Sequence, residues 1–244
     1  MKLTVLGNNG PYPSAGGACS GYLIQHGGKN ILLDCGNGVL SNLQKVIRFE
    51  ELDAIIITHL HSDHMSDMMV LRYAIQAKMK RGAMNHRIDV YASPEPQEEF
   101  KRLDINDAFN LKAITDDMVL NIGDITVTFS PMTHPFKSFA VCVSSGGKKF
   151  VFSGDTSWNK NIIEFSGGAD VVMLDAGLLS ADKKDDNVPH LTARECGIVA
   201  KESGAKKLIL THFFPEYDVE QLIAEARENF GNVTASELMK SYEI

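Results

Sequence analysis

Short apolar runs rich in β-branched residues recur along the chain, at 30–33, 54–58, 88–92, 125–130, 139–144, 149–153, 170–174 and 207–211. Each has strand length. Several are apolar at both alternating sets of positions, the pattern of strands covered on both faces. Residues 1–7 read as a further, first strand. Between these runs the period lengthens. Over 67–79, Met68, Leu71, Ile75 and Met79 form one helical stripe, the methionines filling core. The segment 94–103 opens with Pro-Glu-Pro, which suits a helix start. Over 191–203, Thr192 with Glu195 three later predicts a capping box, and Gly204 a stop. Over 218–230, Asp218 and Gln221 have the same spacing, with Gly231 as terminator.

Strands and helices thus alternate through the chain with no low-complexity linker and no repeat. The 244 residues, 44% of them hydrophobic, are enough for one sizeable core. The pattern predicts one α/β domain over 1–244, helices outside and sheets inside. Lys183-Lys184-Asp185-Asp186 reads as a short solvated loop.

Charge changes the picture little. Lys plus Arg is 24 and Asp plus Glu is 31, a net charge of −7. That balance gives no pointer to nucleic acid or an anionic membrane, although a basic patch or a bound metal can offset it locally. Four widely spaced cysteines, with no C-x-x-C pair, read as free thiols in a reducing compartment. No signal-peptide core is visible, and no apolar stretch approaches the ~18 residues of a membrane span. The expectation is a cytoplasmic protein with no membrane partner.

The chemistry is concentrated after the run 54–58. His59, His61, Asp63 and His64 place three of the chain's eight histidines and one aspartate within six residues. On an extended backbone His59 and His61 point the same way, while Asp63 and His64 turn onto a helix start. One loop can therefore serve two metal sites, and imidazole with carboxylate is a donor set that Zn²⁺ takes. Other polar residues follow other runs: Asp34 after 30–33, His134 after 125–130, Asp155 after 149–153, Asp175 after 170–174 and His212 after 207–211. The carboxyl ends of strands in α/β folds are where sites are built.

These segments, Thr58-His59-Leu60-His61-Ser62-Asp63-His64, His134, Ser153-Gly154-Asp155-Thr156 and Thr211-His212-Phe213, together resemble the metallo-β-lactamase superfamily. The resemblance implies an α/β fold, a four-layered αβ/βα sandwich, with two Zn²⁺ ions; Mn²⁺ or another divalent transition metal could occupy the same donors. It assigns His59, His61 and His134 to one ion, Asp63, His64 and His212 to the other, and Asp155 to both. Asp34 would orient a ligand imidazole, or alternatively cap the turn before Cys35-Gly36-Asn37-Gly38.

Three departures narrow the branch. Aspartate stands at 155 where true metallo-β-lactamases have cysteine. Histidine stands at 61 where di-iron redox relatives have a carboxylate. One helix and a short tail follow His212, where glyoxalase II relatives carry extra helices. The segment Pro189-His190-Leu191-Thr192 resembles the His-x-Thr motif of the ribonuclease Z-like branch. There the extra histidine steadies charge on the scissile phosphate and protonates the leaving oxygen, so His190 and the Asp175 that would orient it are expected to be catalytic, with Asp63 aiming the attacking water. The departures from that branch are Asp175-Ala176-Gly177, where glutamate is more usual, and the absence of the tRNA-gripping arm: only 21 positions separate His134 from Asp155. The glycine-rich segment 7–21 also has no Lys or Arg.

The expected activity is that of a phosphodiesterase or ribonuclease Z-like endoribonuclease, with a phosphodiester substrate, RNA among the candidates; analogy also raises a homodimer. The alternatives are a small-molecule hydrolase for a lactone, thioester or cyclic nucleotide, and a non-catalytic metal-binding protein. Trp158 is expected to pack, His26 and His86 to be solvated, and Phe213 and Phe214 to shield the metals or wall the pocket.

Overall fold

A computed structural model describes residues 1–105, 107–185 and 188–244, so Asp186 of the mixed-charge loop lies outside the described residues. Two sheets carry the architecture. The first runs, in spatial order, β14 (Ser241–Glu243), β1 (Lys2–Gly7), β2 (Gly21–His26), β3 (Lys29–Leu33), β4 (Ala54–Ile57), β5 (Ile88–Ala92) and β6 (Phe109–Ala113). The second runs β13 (Val233–Ala235), β12 (Leu208–Thr211), β11 (Val171–Asp175), β10 (Lys148–Phe152), β9 (Ser138–Ser145), β8 (Ile125–Met132) and β7 (Val119–Ile122).

The doubly apolar runs explain the layering. Ile31, Leu33 and Ile56 point into a core between the sheets, while Leu32, Ile55 and Ile57 point outward. In the second sheet Val171, Met173 and Ile209 point in, and Val172, Leu174, Leu208 and Leu210 out. Each outer face must then be covered. Helices α1 (Val39–Leu43), α3 (Met68–Lys80) and α4 (Gln97–Leu103) cover the first, with the short α2 (Ser62–Met65) at its edge. Helices α5 (Asn161–Phe165), α6 (Ala193–Glu202) and α7 (Val219–Arg227) cover the second. The result is the expected αβ/βα sandwich.

Helix ends follow their caps. The Thr192 hydroxyl accepts from the Glu195 N–H at 3.1 Å, and the Glu195 carboxylate accepts from the Thr192 N–H at 2.8 Å. Gly204 sits at φ 66°, the left-handed stop. Helix α7 differs from expectation. Asp218 accepts from the Glu220 N–H at 3.0 Å, and the helix ends at Arg227, well before Gly231. Its last turn is therefore not closed by a glycine.

Strand direction positions the site. β3 to β6 are mutually parallel, as are β10 to β13. β1 is antiparallel to β2 and β2 to β3, so β1 points the way β3 does. By the same rule β8 points the way β10 does. The carboxyl ends of β1, β3 and β4, and of β8, β10, β11 and β12, therefore gather their loops at common edges. The hairpin β9–β10 fills the interval between His134 and Asp155, with no arm.

Candidate metal centre and its cleft

The residues singled out along the chain converge. One donor atom each from His59, His61, His134 and Asp155 lies within 4.8 Å of the others, and the same holds for Asp63, His64, Asp155 and His212. A third such group joins Asp155, His212, Asp175 and His190.

The spacings within the first two groups can be compared with what an ion requires. Four donors about 2.0–2.1 Å from Zn²⁺ at tetrahedral angles lie about 3.4 Å apart. His61 Nδ1 stands 3.1 Å from both His59 Nε2 and His134 Nε2, and Asp155 Oδ2 is 3.7 Å from His59 Nε2. In the second group, His64 Nε2 is 3.2 Å from Asp155 Oδ1 and 3.6 Å from Asp63 Oδ2. His212 Nε2 is 3.2 Å from Asp63 Oδ2 and 3.3 Å from Asp155 Oδ2. His64 Nε2 and Asp155 Oδ1 are buried without a hydrogen-bond partner. Orphaned polar atoms of that kind cost folding energy unless something binds them. The donor set thus suits divalent metal, with Asp155 common to both groups.

Neighbours fix which ring nitrogen faces inward. Asp34 is fully buried beyond β3; its carboxylate takes the His64 Nδ1–H at 2.7 Å and the Thr58 N–H at 2.8 Å. That leaves His64 Nε2 for an ion, so Asp34 is an orienting acceptor, and its φ of 57° lets it turn back onto the loop. His134 Nδ1 donates to the Pro189 carbonyl at 3.0 Å, which frees Nε2 in the same way. Phe136 lies against the His61 ring, centroids 4.2 Å apart. Gly10, on the loop after β1, lies over the His212 ring; a Cβ there would fall 2.0 Å from His212 Nε2.

The electrostatics divide the groups. Burial, and then His64, holds His59 well below the ordinary imidazole range, which favours the neutral ligand form. Burial likewise lowers His61 and His134, against the pull of Asp155. Burial opposes charge on His64 and His212 too, but Asp155, with Asp34 for the one and Asp175 for the other, raises both well above the usual value. Burial pushes the Asp155 carboxyl up, yet His212, His64 and His59 hold it well below the ordinary carboxylate range.

Asp175, at the end of β11 and fully buried, accepts from His190 Nδ1 at 2.8 Å and lies 3.3 Å from His212 Nδ1. Its link to His212 had no signal in the sequence, because it depends on β11 lying beside β12. The Thr156 and Gly177 N–H groups also donate to it. Burial disfavours charge on His190, but Asp175 and then Asp155 outweigh it and raise its pKa. A cleft of about 370 Å³ is walled by His61, Asp63, His134, Asp155, His190 and His212.

The bystanders sort themselves. Phe213 is buried and Phe214 walls a neighbouring pocket. Trp158 is 37% exposed rather than packed. His86 is exposed as expected, whereas His26 pairs with Asp124 at 3.3 Å. The four cysteines are buried free thiols. No helix among the described residues is long and apolar enough to cross a membrane.

Comparison with known proteins agrees with this geometry. The family described as "Beta-lactamase superfamily domain" matches residues 29–213. The chain is 35% identical to "Probable metallo-hydrolase YhfI" of Bacillus subtilis over 231 residues, 94% of each chain. It is 26% identical to a ribonuclease Z of Brevibacillus brevis, covering 94% of this chain and 92% of that one. The crystal structure of YhfI superposes with a TM-score of 0.94 at 32% identity, over 99% of this chain and 98% of that one. Human short-form tRNase Z has the same fold, with a TM-score of 0.77 at 22% identity over 100% and 99% of the two chains. The chain therefore belongs to the β-lactamase superfamily of metallo-hydrolases, in its ribonuclease Z-like branch.

Proposed function

We propose that the protein is a dinuclear metal-dependent phosphodiesterase. One observation carries the reading: a histidine outside the two metal-donor groups, His190, faces the same cleft with Asp175 bonded to its Nδ1 at 2.8 Å. Hydrolysis of an activated carbonyl has little use for an acid at that point, whereas expulsion of an alkoxide from phosphorus does.

His59, His61 and His134 would hold one ion, Asp63, His64 and His212 the other, with Asp155 between them. Bound divalent ions, zinc by donor type, would supply Lewis acidity and make water a competent nucleophile near neutral pH. Asp63 would accept a hydrogen bond from the attacking water and aim it at phosphorus. His190, charged and held by Asp175, faces the charge that develops on the phosphoryl oxygens. Its Nε2 then gives its proton to the leaving oxygen, and Asp175 keeps the ring in place for the next cycle. A cytoplasmic setting suits the four buried thiols.

The test is a panel of bis(4-nitrophenyl) phosphate, a simple lactone and nitrocefin, offered to metal-loaded protein. The diester is expected to turn over fastest. Hydrolysis of the lactone alone makes the protein a carbonyl hydrolase and defeats the proposal.

A further inference from the structure

Beside the metal cleft lies a second cavity of about 220 Å³, and the two share Pro11, His190 and His212. His190 therefore stands at their junction, its ring stacked on that of His212 with centroids 5.2 Å apart. The second cavity is closed by Leu178, Phe214 and Tyr217, and no lysine, arginine or carboxylate lines it among the described residues. Its aromatic wall is a braced cluster. Phe214 meets Tyr217 edge-on with centroids 5.3 Å apart, and Tyr12 backs Phe214 edge-on at 5.9 Å.

The tyrosine hydroxyls are already committed. Tyr12 donates to Glu216 at 3.0 Å and Tyr217 donates to Asp182 at 2.6 Å. The aromatic wall is thus tethered by two carboxylates from outside. A phosphate pushed into this cavity would find no cation besides His190, which the scissile phosphate already engages, and would lie near the Glu216 and Asp182 carboxylates. A flat, uncharged ring would find edges and faces to stack on, which is how single bases are held without sequence readout.

We infer that this pocket is the subsite for an uncharged ring substituent of the diester, and that the substrate is a small molecule with one phosphodiester linkage rather than an RNA strand. The inference rests on the phosphodiesterase reading and narrows it. A polynucleotide carries a charge at each linkage, so threading it past His190 would bring a second phosphate to the Glu216 and Asp182 side. A dinucleoside monophosphate places its only charge at the metals and an uncharged nucleoside in the pocket.

The experiment compares kcat/KM of the metal-loaded protein on uridylyl-(3′→5′)-uridine, the same dinucleotide with a 5′-terminal phosphate, and a ribododecamer. The plain dinucleotide is expected to be preferred by roughly tenfold or more, because the other two bring a further phosphate toward like charge. Tyr217→Leu and Phe214→Leu should each raise its KM by a similar factor while kcat and metal content hold. Uridine alone should compete, and more weakly in both variants. Melting curves check that the variants fold. Equal or faster cleavage of the dodecamer makes RNA the occupant and overturns the inference. An unchanged KM in both folded variants shows that the pocket is unused, with the phosphodiesterase reading intact. No turnover of any diester, bis(4-nitrophenyl) phosphate included, removes that reading and the subsite with it.

Discussion

The two halves of the molecule contribute to the site in different ways. The first sheet offers a single loop, in which His59, His61, Asp63 and His64 follow β4 within six residues. The second offers one residue per strand end or loop: His134, Asp155, Asp175, His190 and His212. The first arrangement is local, so chain stiffness alone keeps the donors together. The second depends on strand registry, and its side chains hold one another through Asp175 and Asp155. The compact half is suited to gripping ions. The dispersed half can place a proton donor beside them at a distance set by two neighbouring strands.

Substitutions can break this comparison. The largest effect is expected for Asp155→Ala, which removes the carboxylate common to both donor groups: metal content by elemental analysis should collapse together with activity. Retention of both ions would show that the local loop suffices alone. Next comes His190→Ala, which should keep metal content and lose activity by about 10²–10⁴. The loss should shrink on substrates whose leaving group needs no proton, such as nitrophenyl esters; an equal loss on poor and good leaving groups would contradict the acid role. In the first half, Asp34→Asn should weaken metal affinity by about 10–100-fold, read by chelator competition, because His64 loses the acceptor that fixes its ring.

The smallest effect lies at the opposite end of the second sheet. Asp170 accepts from Lys206 Nζ and the Lys149 N–H, and these hold its pKa at about 2. Its folded pKa is below the unfolded value, so its contribution is complete above the ordinary carboxylate pKa. That contribution disappears as pH falls through about 2. Asp170→Asn should therefore cost about 0.5–1 kcal/mol at neutral pH and almost nothing near pH 2, measured by denaturant melts.

Much of this was legible in the chain, and the reasons for the gaps are physical. β4, β11 and β12 stand out because they are covered on both faces and carry no polar alternation. β6 and β7, with exposed alternate positions and single lysine or asparagine breaks, do not. The ends of the doubly covered strands disclosed the histidines and carboxylates that converge, since packing alone would favour another apolar side chain directly after such a run. Asp175 was visible as a strand-end carboxylate, but its double contact with His190 and His212 needs β11 and β12 side by side. Of the aromatic pocket only Phe214 was anticipated as a wall: Tyr12, Leu178 and Tyr217 share no period with it, and only folding brings the β1 loop to the loop after β12. Trp158 shows the converse error, a large apolar side chain whose neighbours in sequence say nothing about its burial.

Gly10 has a consequence that reaches beyond catalysis. With less than the width of one carbon atom between its α-hydrogen position and the His212 imidazole, this residue acts as a gauge on the centre without contributing a donor to it. A single codon change there would force the His212 ring or the Gly10 loop to move while leaving every histidine and aspartate in its row. Among sibling chains, an inventory of ligands would miss that displacement, and only the unassuming position next to Pro11 would disclose it.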